Sequence, residues 1–205
     1  MEHDDAIACH ADAAASPDVG VSSVDADIRA AIVRGDHRAA LTKIDERFGD
    51  AVFRFVRNLM GADDLADDVY QTTLIEAYRD LTSFGGRSSL RTWLFAIARH
   101  RCLDALKANR RRVARFESTA DAPEVADARP TADERMSDSQ VRAALEHCLA
   151  ALAPELRMVL LLRFQEGFGY DDIARITRLR NETLRARISR AMPALRACIE
   201  KQGAL

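Results

Sequence analysis

Apolar residues recur at three- and four-residue steps through most of this sequence, and no segment shows the strict alternation of a half-buried strand. That periodicity confines the chain to packed helices. Ile28, Ala31 and Ile32 begin the pattern, and Leu41, Ile44, Phe48, Val52, Phe55, Val56 and Leu59 carry it to a stop at Gly61. Asp63 to Leu81 predicts a further helix, with Ala66, Tyr70, Leu74, Ala77 and Leu81 on one face. Thr82 to Gly86 breaks it, and a third helical stretch follows to about Phe116.

A second helical block runs from about Ser139 to Lys201. Val141, Ala144, Leu145, Cys148, Leu149 and Leu152 form its first stripe, and Pro154 suits the first turn of the next helix. Between the blocks, residues 117–138 hold seven acids, two arginines and two prolines, with almost no large apolar side chain. That is the composition of a flexible linker. Residues 1–26 are rich in Ala and Asp, lack sustained periodicity and read as a disordered acidic tail. The fold class is therefore all-α, with two small helical domains, 27–116 and 139–205, joined by an acidic flexible linker at 117–138. Such a linker predicts that the two domains are structurally independent.

The formal net charge of −2 conceals a segregation. Residues 1–27 hold seven acids and no Lys or Arg, and the linker carries a net −5. The remainder is strongly basic, which suits a polyanionic partner. The densest region is Arg87 to Arg112, with eight Lys or Arg against one acid, Asp104. Leu90, Trp93, Leu94 and Ile97 mark its buried face, where Trp93 reads as core. Arg99, His100, Lys107 and Arg110 fall roughly opposite, and Arg111 and Arg112 extend the charge. This is a phosphate footprint. A solvated basic helix end is the plainer reading, but the Trp-bearing stripe beside the cations and the terminal triple Arg favour nucleic acid.

Tyr170 to Ala197 has the proportions of a helix-turn-helix. Ile173, Ala174 and Ile176 would pack the first helix, and Leu184, Ile188 and Leu195 the second. Asn181 is the predicted N-cap. Arg185, Arg187 and Arg190 then stand where a recognition helix reaches base edges or phosphates. The bland alternative is a helical hairpin with an arginine-rich face.

Catalysis is not expected. The five histidines are scattered, and no Ser/His/Asp set, Gly-rich phosphate loop or HExxH pattern occurs. No cofactor or metal centre is expected either. Asp63, Asp64 and Asp67 form a DDxxD pattern similar to the magnesium–diphosphate motif of isoprenoid synthases, but the large apolar cavity between long helices is lacking. Cys9, Cys102, Cys148 and Cys198 lie far apart with no CxxC pair and read as free thiols. No apolar run approaches the roughly 18 residues of a membrane span, and the N-terminus has no signal-peptide pattern. A cytoplasmic protein without membrane insertion is expected.

Taken together, the two blocks resemble an extracytoplasmic-function (group IV) sigma factor of the sigma-70 family, over roughly residues 38 to 200. ADDVYQTTLIEAYRDL (Ala66–Leu81) is similar to that family's acidic segment. SSLRTWLFAIARHRCLDALKANRRR (Ser88–Arg112) resembles its promoter-melting segment, through Trp93, Leu94, Ile97, Ala98, Asp104 and Arg110 to Arg112. ALAPELRMVLLLRFQEGFGYDDIA and TLRARISRA resemble its upstream-element reader.

The resemblance implies promoter-specific initiation by core RNA polymerase. Arg99, His100, Arg101, Lys107, Arg110, Arg111 and Arg112 would serve melting at the −10 element. Asn181, Glu182, Thr183, Arg185, Ala186, Arg187, Ser189 and Arg190 would read the −35 element. Asp64, Asp67, Asp68 and Gln71 would dock on a basic helix pair of the polymerase, and Thr82 to Ser89 would wall a pocket for a flipped base. Core polymerase and promoter DNA are the implied partners, and an anti-sigma factor is a common third. The sequence departs from the family at His100 (usually Asn), Arg178 (often Gly), Ala186 (often Ser) and Pro193, which is expected to end the DNA-reading part of its helix. An autonomous helix-turn-helix regulator, working without polymerase, would account only for Tyr170 to Ala197.

Overall fold

The computed structural model describes residues 23–61, 63–117 and 138–203. The acidic tail, apart from its last residues, and the linker between its end positions lie outside the described residues. Those residues form eight α-helices and no strand: α1 (Ser23–Val33), α2 (His37–Met60), α3 (Asp63–Asp80), α4 (Leu90–Glu117), α5 (Asp138–Ala150), α6 (Pro154–Leu160), α7 (Tyr170–Thr177) and α8 (Asn181–Lys201). None is long and apolar enough to cross a membrane.

Local chemistry sets the helix ends. Asp36 accepts a hydrogen bond from Ala39 N at 3.1 Å, capping α2. Gly61 closes α2 in the left-handed conformation, φ 73°, with its amide donating to Arg57 O. A 3₁₀ turn at Leu81–Ser83 ends α3, and Ser89 starts α4 by accepting from Thr92 N through Oγ at 3.0 Å.

The first block packs α1 and α3 on α2, with α4 against both α2 and α3. Ile44, Val52, Phe55 and Leu59 of α2 are fully buried, and Leu94, Phe95 and Ala98 of α4 meet them. Trp93 is half-buried and packs on Phe84, with ring centroids 5.1 Å apart, as the core reading expected. Tyr70 of α3 donates its hydroxyl to Asp45 of α2 across Gly49. A Cβ at Gly49 would stand 2.5 Å from Asp45 Oδ1 and 2.6 Å from the Tyr70 hydroxyl, so any side chain there makes the pair shift. Burial, and then Asp45, raise the Tyr70 pKa, so the phenol remains the donor at neutral pH.

In the second block, α6 opens into a π turn at Leu161–Gln165, where Glu166 N reaches Leu161 O at 3.0 Å. Two expectations fail here. Asn181 is the first residue of α8, not its cap; the cap position is Arg180, and the Asn181 amide donates to Asp171 of α7 at 2.7 Å. Cys148 and Cys198 are not free thiols but a disulfide between α5 and α8, with Cα atoms 5.8 Å apart. Helix packing brings together two cysteines 50 residues apart, which their spacing alone does not foretell. The chain-entropy treatment gives such a cross-link about 4 kcal/mol of stabilisation at most. α8 continues through Pro193 to Lys201.

The expected independence of the two blocks also fails. One hydrophobic cluster runs through both, with Phe95 between Phe55 (5.3 Å) and Phe168 (5.0 Å). Arg91 of α4 donates to Glu166 O at 2.6 Å and lies 3.2 Å from Glu166 Oε2, with its guanidinium 4.0 Å above the Phe168 ring. Thr92 donates to Asp172 at 3.1 Å, and Asn58 to Gln165 at 2.5 Å. Arg157, 8% exposed, donates to Leu59 O of α2 and to Ala150 O of α5, joining two helix C-termini where a cation is favoured.

Two measurements check this packing. Thiol titration of the denatured, unreduced chain should find two thiols, Cys9 and Cys102, rising to four on reduction; four before reduction would remove the disulfide. Gly49→Ala gains about 1 kcal/mol of helix propensity but displaces the Tyr70–Asp45 pair, for a net destabilisation of about 1–2 kcal/mol. A melting temperature equal to or above that of the wild type would show that the pair shifts at little cost.

Candidate nucleic-acid and polymerase interfaces

The basic half of α4 divides into engaged and exposed cations. Arg99 is half-buried on the side facing the second block. Burial first and Arg178 second lower its pKa, while Glu155 opposes them. Its Nε is buried without a hydrogen-bond partner among the described residues, a cost of about 1–3 kcal/mol. Arg101 forms an ion pair with Glu76 of α3 at 2.6 Å and a longer one with Asp104 at 3.5 Å. His100 is exposed, with Nδ1 2.6 Å from Arg101 Nη2 and 3.6 Å from Asp104. Lys107, Arg110, Arg111 and Arg112 are exposed on the following turns. Arg111 donates to Lys107 O and Arg112 to Asn109 Oδ1, which orders the cluster while leaving it open to solvent.

Of the acidic set, Asp67, Asp68 and Gln71 are exposed on the outer face of α3. Asp64 lies in α3, and its side chain is outside the described residues. Asp68, Val69 and Thr72 border a shallow groove of about 390 Å³ between α3 and α4, which Ala105 and Arg112 border from the other side. The acidic face and the basic end of α4 are thus neighbours across one groove.

The third surface is the start of α8. Leu184, Ile188, Ala191 and Leu195 are buried, which turns Glu182, Arg185, Ala186, Ser189 and Arg190 outward on one exposed stripe. Asn181 and Thr183 are half-buried beside α7, and Arg187 flanks the stripe, also half-buried. Arg190 donates from Nε to Ala186 O at 3.1 Å. The turn before α8 holds Arg178 at φ 61°, the one positive-φ residue besides glycine among the described residues. That conformation explains why glycine suits the position: a side chain there costs about 1–2 kcal/mol.

Sequence reasoning missed the residues that fix these surfaces. Arg91 belongs to the basic stretch by sequence, yet it is committed to Glu166 and Phe168. Nothing in the sequence singles out Arg157, Glu166 or Tyr170. Their partners lie in other helices, and no local pattern marks them.

Residues 44–112 match the sequence profile of sigma-70 region 2, and residues 142–195 that of sigma-70 region 4. The RNA polymerase sigma-H factor of Pseudomonas aeruginosa is 31% identical over 173 residues, covering 80% of this chain and 88% of that protein. The ECF RNA polymerase sigma-E factor of Escherichia coli is 30% identical over 174 residues, with the same coverage of 80% and 88%. Among solved structures, the sigma factor RpoE of Bartonella quintana, crystallised with the anti-sigma factor NepR, superposes with a TM-score of 0.62. It shares 27% identity and covers 80% of this chain and 97% of its own. CnrH, solved in complex with the cytosolic domain of CnrY, shares the fold at 23% identity, with a TM-score of 0.61 over 87% of this chain and 98% of its own.

Proposed function

Because the chain belongs to the sigma-70 family, in its extracytoplasmic-function branch, and serves RNA polymerase as a sigma factor, we propose that its three exposed surfaces divide the work of initiation. The exposed stripe of α8 enters the major groove of the −35 element, with Arg185 nearest the base edges. The cluster Lys107 and Arg110 to Arg112 holds phosphates at the −10 element, where bases are unstacked at a cost of a few kcal/mol each. Asp67, Asp68 and Gln71 dock on a basic surface of the core enzyme.

The observation that carries this reading is the pairing of a basic melting-type helix with a separate helix-turn-helix in one chain. An autonomous regulator would need the second alone.

The packed arrangement cannot serve both elements at once. Sites near −35 and −10 lie about 25 base pairs apart, roughly 85 Å along B-DNA. A compact chain of this length has a radius of gyration of roughly 17 Å. The α4–α7 contact therefore opens when the promoter is engaged, which frees Arg99 from its position facing Arg178. The Bartonella quintana relative was crystallised with an anti-sigma factor, and a partner of that kind, holding the closed form, is proposed here too.

Run-off transcription with reconstituted core polymerase and genomic fragments is the test. The chain should direct discrete transcripts, and gel shifts should show specific duplex retention only with core present. Specific, tight retention without core would favour the autonomous regulator. Reversing Asp67 and Asp68 to Lys should weaken core binding at least tenfold with the helical circular-dichroism signal unchanged. Unaltered affinity would leave those acids as an ordinary charged helix start.

A further inference from the structure

We propose that Tyr170 is a positioning residue for Arg185, holding its guanidinium by the face so that its edge is presented to a base; this rests on the −35 reading of α8 given above. Tyr170 opens α7, and its ring is half-buried. The Arg185 guanidinium carbon lies 4.3 Å from the ring centroid. An arginine can stack through its planar face while its in-plane N–H groups stay available for bidentate bonding. In a face-on stack the two contacts would not compete, because one uses the face and the other the edge.

Two further contacts fix the geometry. The Asn181 amide donates to Asp171 at 2.7 Å, tying the first residue of α8 to the residue after Tyr170. The ring and the guanidinium are therefore carried by two elements locked at their starts. Arg163 lies 5.0 Å from the same ring centroid and donates to Phe168 O at 3.1 Å, so the ring is itself held by an anchored cation.

Arg185 is otherwise an exposed, long side chain whose many rotamers would have to be frozen on binding DNA. Stacking removes part of that disorder before the complex forms. Of the arginines on the start of α8, it alone has a ring contact among the described residues: Arg190 bonds its own helix carbonyl, and Arg187 is half-buried. The consequence is a division between a residue that reads and a residue that aims. Tyr170 would affect the choice of one base pair without touching it.

The experiment uses the full chain in reconstituted holoenzyme, on a promoter library randomised across the upstream element. The variants are Tyr170→Phe, Tyr170→Leu, Arg185→Ala and the Tyr170→Leu/Arg185→Ala pair, each with a recorded melting temperature. Arg185→Ala should flatten the preference at one base pair by about five- to 150-fold. Tyr170→Leu should flatten it at that same pair by about two- to fivefold. Tyr170→Phe should behave as wild type, and the double variant should match Arg185→Ala alone. If Tyr170→Leu melts early, Tyr170→Met takes its place.

Loss in Tyr170→Phe equal to that in Tyr170→Leu would mean that the hydroxyl contacts DNA, and would overturn the positioning role. So would a Tyr170→Leu effect spread evenly over all sequences, or none at the pair that Arg185→Ala alters. Unchanged preference in Arg185→Ala would instead sink the −35 reading of α8, and the positioning role with it.

Discussion

The structure depends on where the chain puts Glu166. Its side chain is 2% exposed, at the seam between the two helical blocks. A carboxylate so placed must be compensated, since an isolated buried charge is prohibitively costly. Arg91 supplies the compensation from α4, and Gln165 donates to the same carboxylate at 2.8 Å. Gln165 in turn accepts from Asn58 of α2. The network thus draws α2, α4 and the π turn to one point, and the π turn supplies the extra residue that brings Gln165 and Glu166 there. For a fully buried pair, deleting one partner costs about 3–5 kcal/mol; Arg91 retains 32% of its exposure, so the lower end applies here.

That seam divides α4 into two halves with different surroundings. Its first turns carry Arg91, Thr92 and Phe95 into the second block, and its last turns carry Lys107 and Arg110 to Arg112 into solvent. Arg99 lies between the two and belongs to the seam while the blocks are packed. A polar seam of this kind suits the opening proposed above. Arg91, Glu166, Thr92 and Asp172 can all be hydrated once separated, unlike a purely apolar core, while Phe95 and Phe168 lose their mutual contact. The second block keeps its own integrity through the Cys148–Cys198 bond. Burial pushes the Cys102 thiol up to about 12, which keeps this third cysteine protonated and inert inside the first block.

Much of this was legible in the residues themselves. The stripe from Leu41 to Leu59, the break at Gly61 and the helix-turn-helix proportions of Tyr170 to Ala197 are local patterns that survive into the fold, but the run expected to continue from Ile28 is broken at Gly35 and Asp36, which end α1 and cap α2. The outward stripe of α8 follows from the buried positions of Leu184 and Ile188. What could not be read was set by contacts across the chain. Arg91 and Glu166 are 75 residues apart, and Thr92 and Asp172 are 80 apart. Arg101 belongs to the basic stretch by sequence, but Glu76 on the neighbouring helix claims it. Asn181 has the chemistry of a cap, yet Asp171 offers a better partner once α7 is in place. In each case a side chain that propensity assigns to its own helix is captured by another.

If the two surfaces proposed to read DNA are packed together in the free chain, they must separate for both to be used. Double electron–electron resonance between genetically encoded, cysteine-independent spin labels at Arg79 on α3 and Ala194 on α8 measures that separation directly. The free chain should give one narrow distance distribution. The holoenzyme on promoter DNA should give a distance longer by tens of ångströms, on the scale of the roughly 85 Å between the two elements. The same short distance in a transcriptionally competent promoter complex would mean that both elements are read without separation of the blocks.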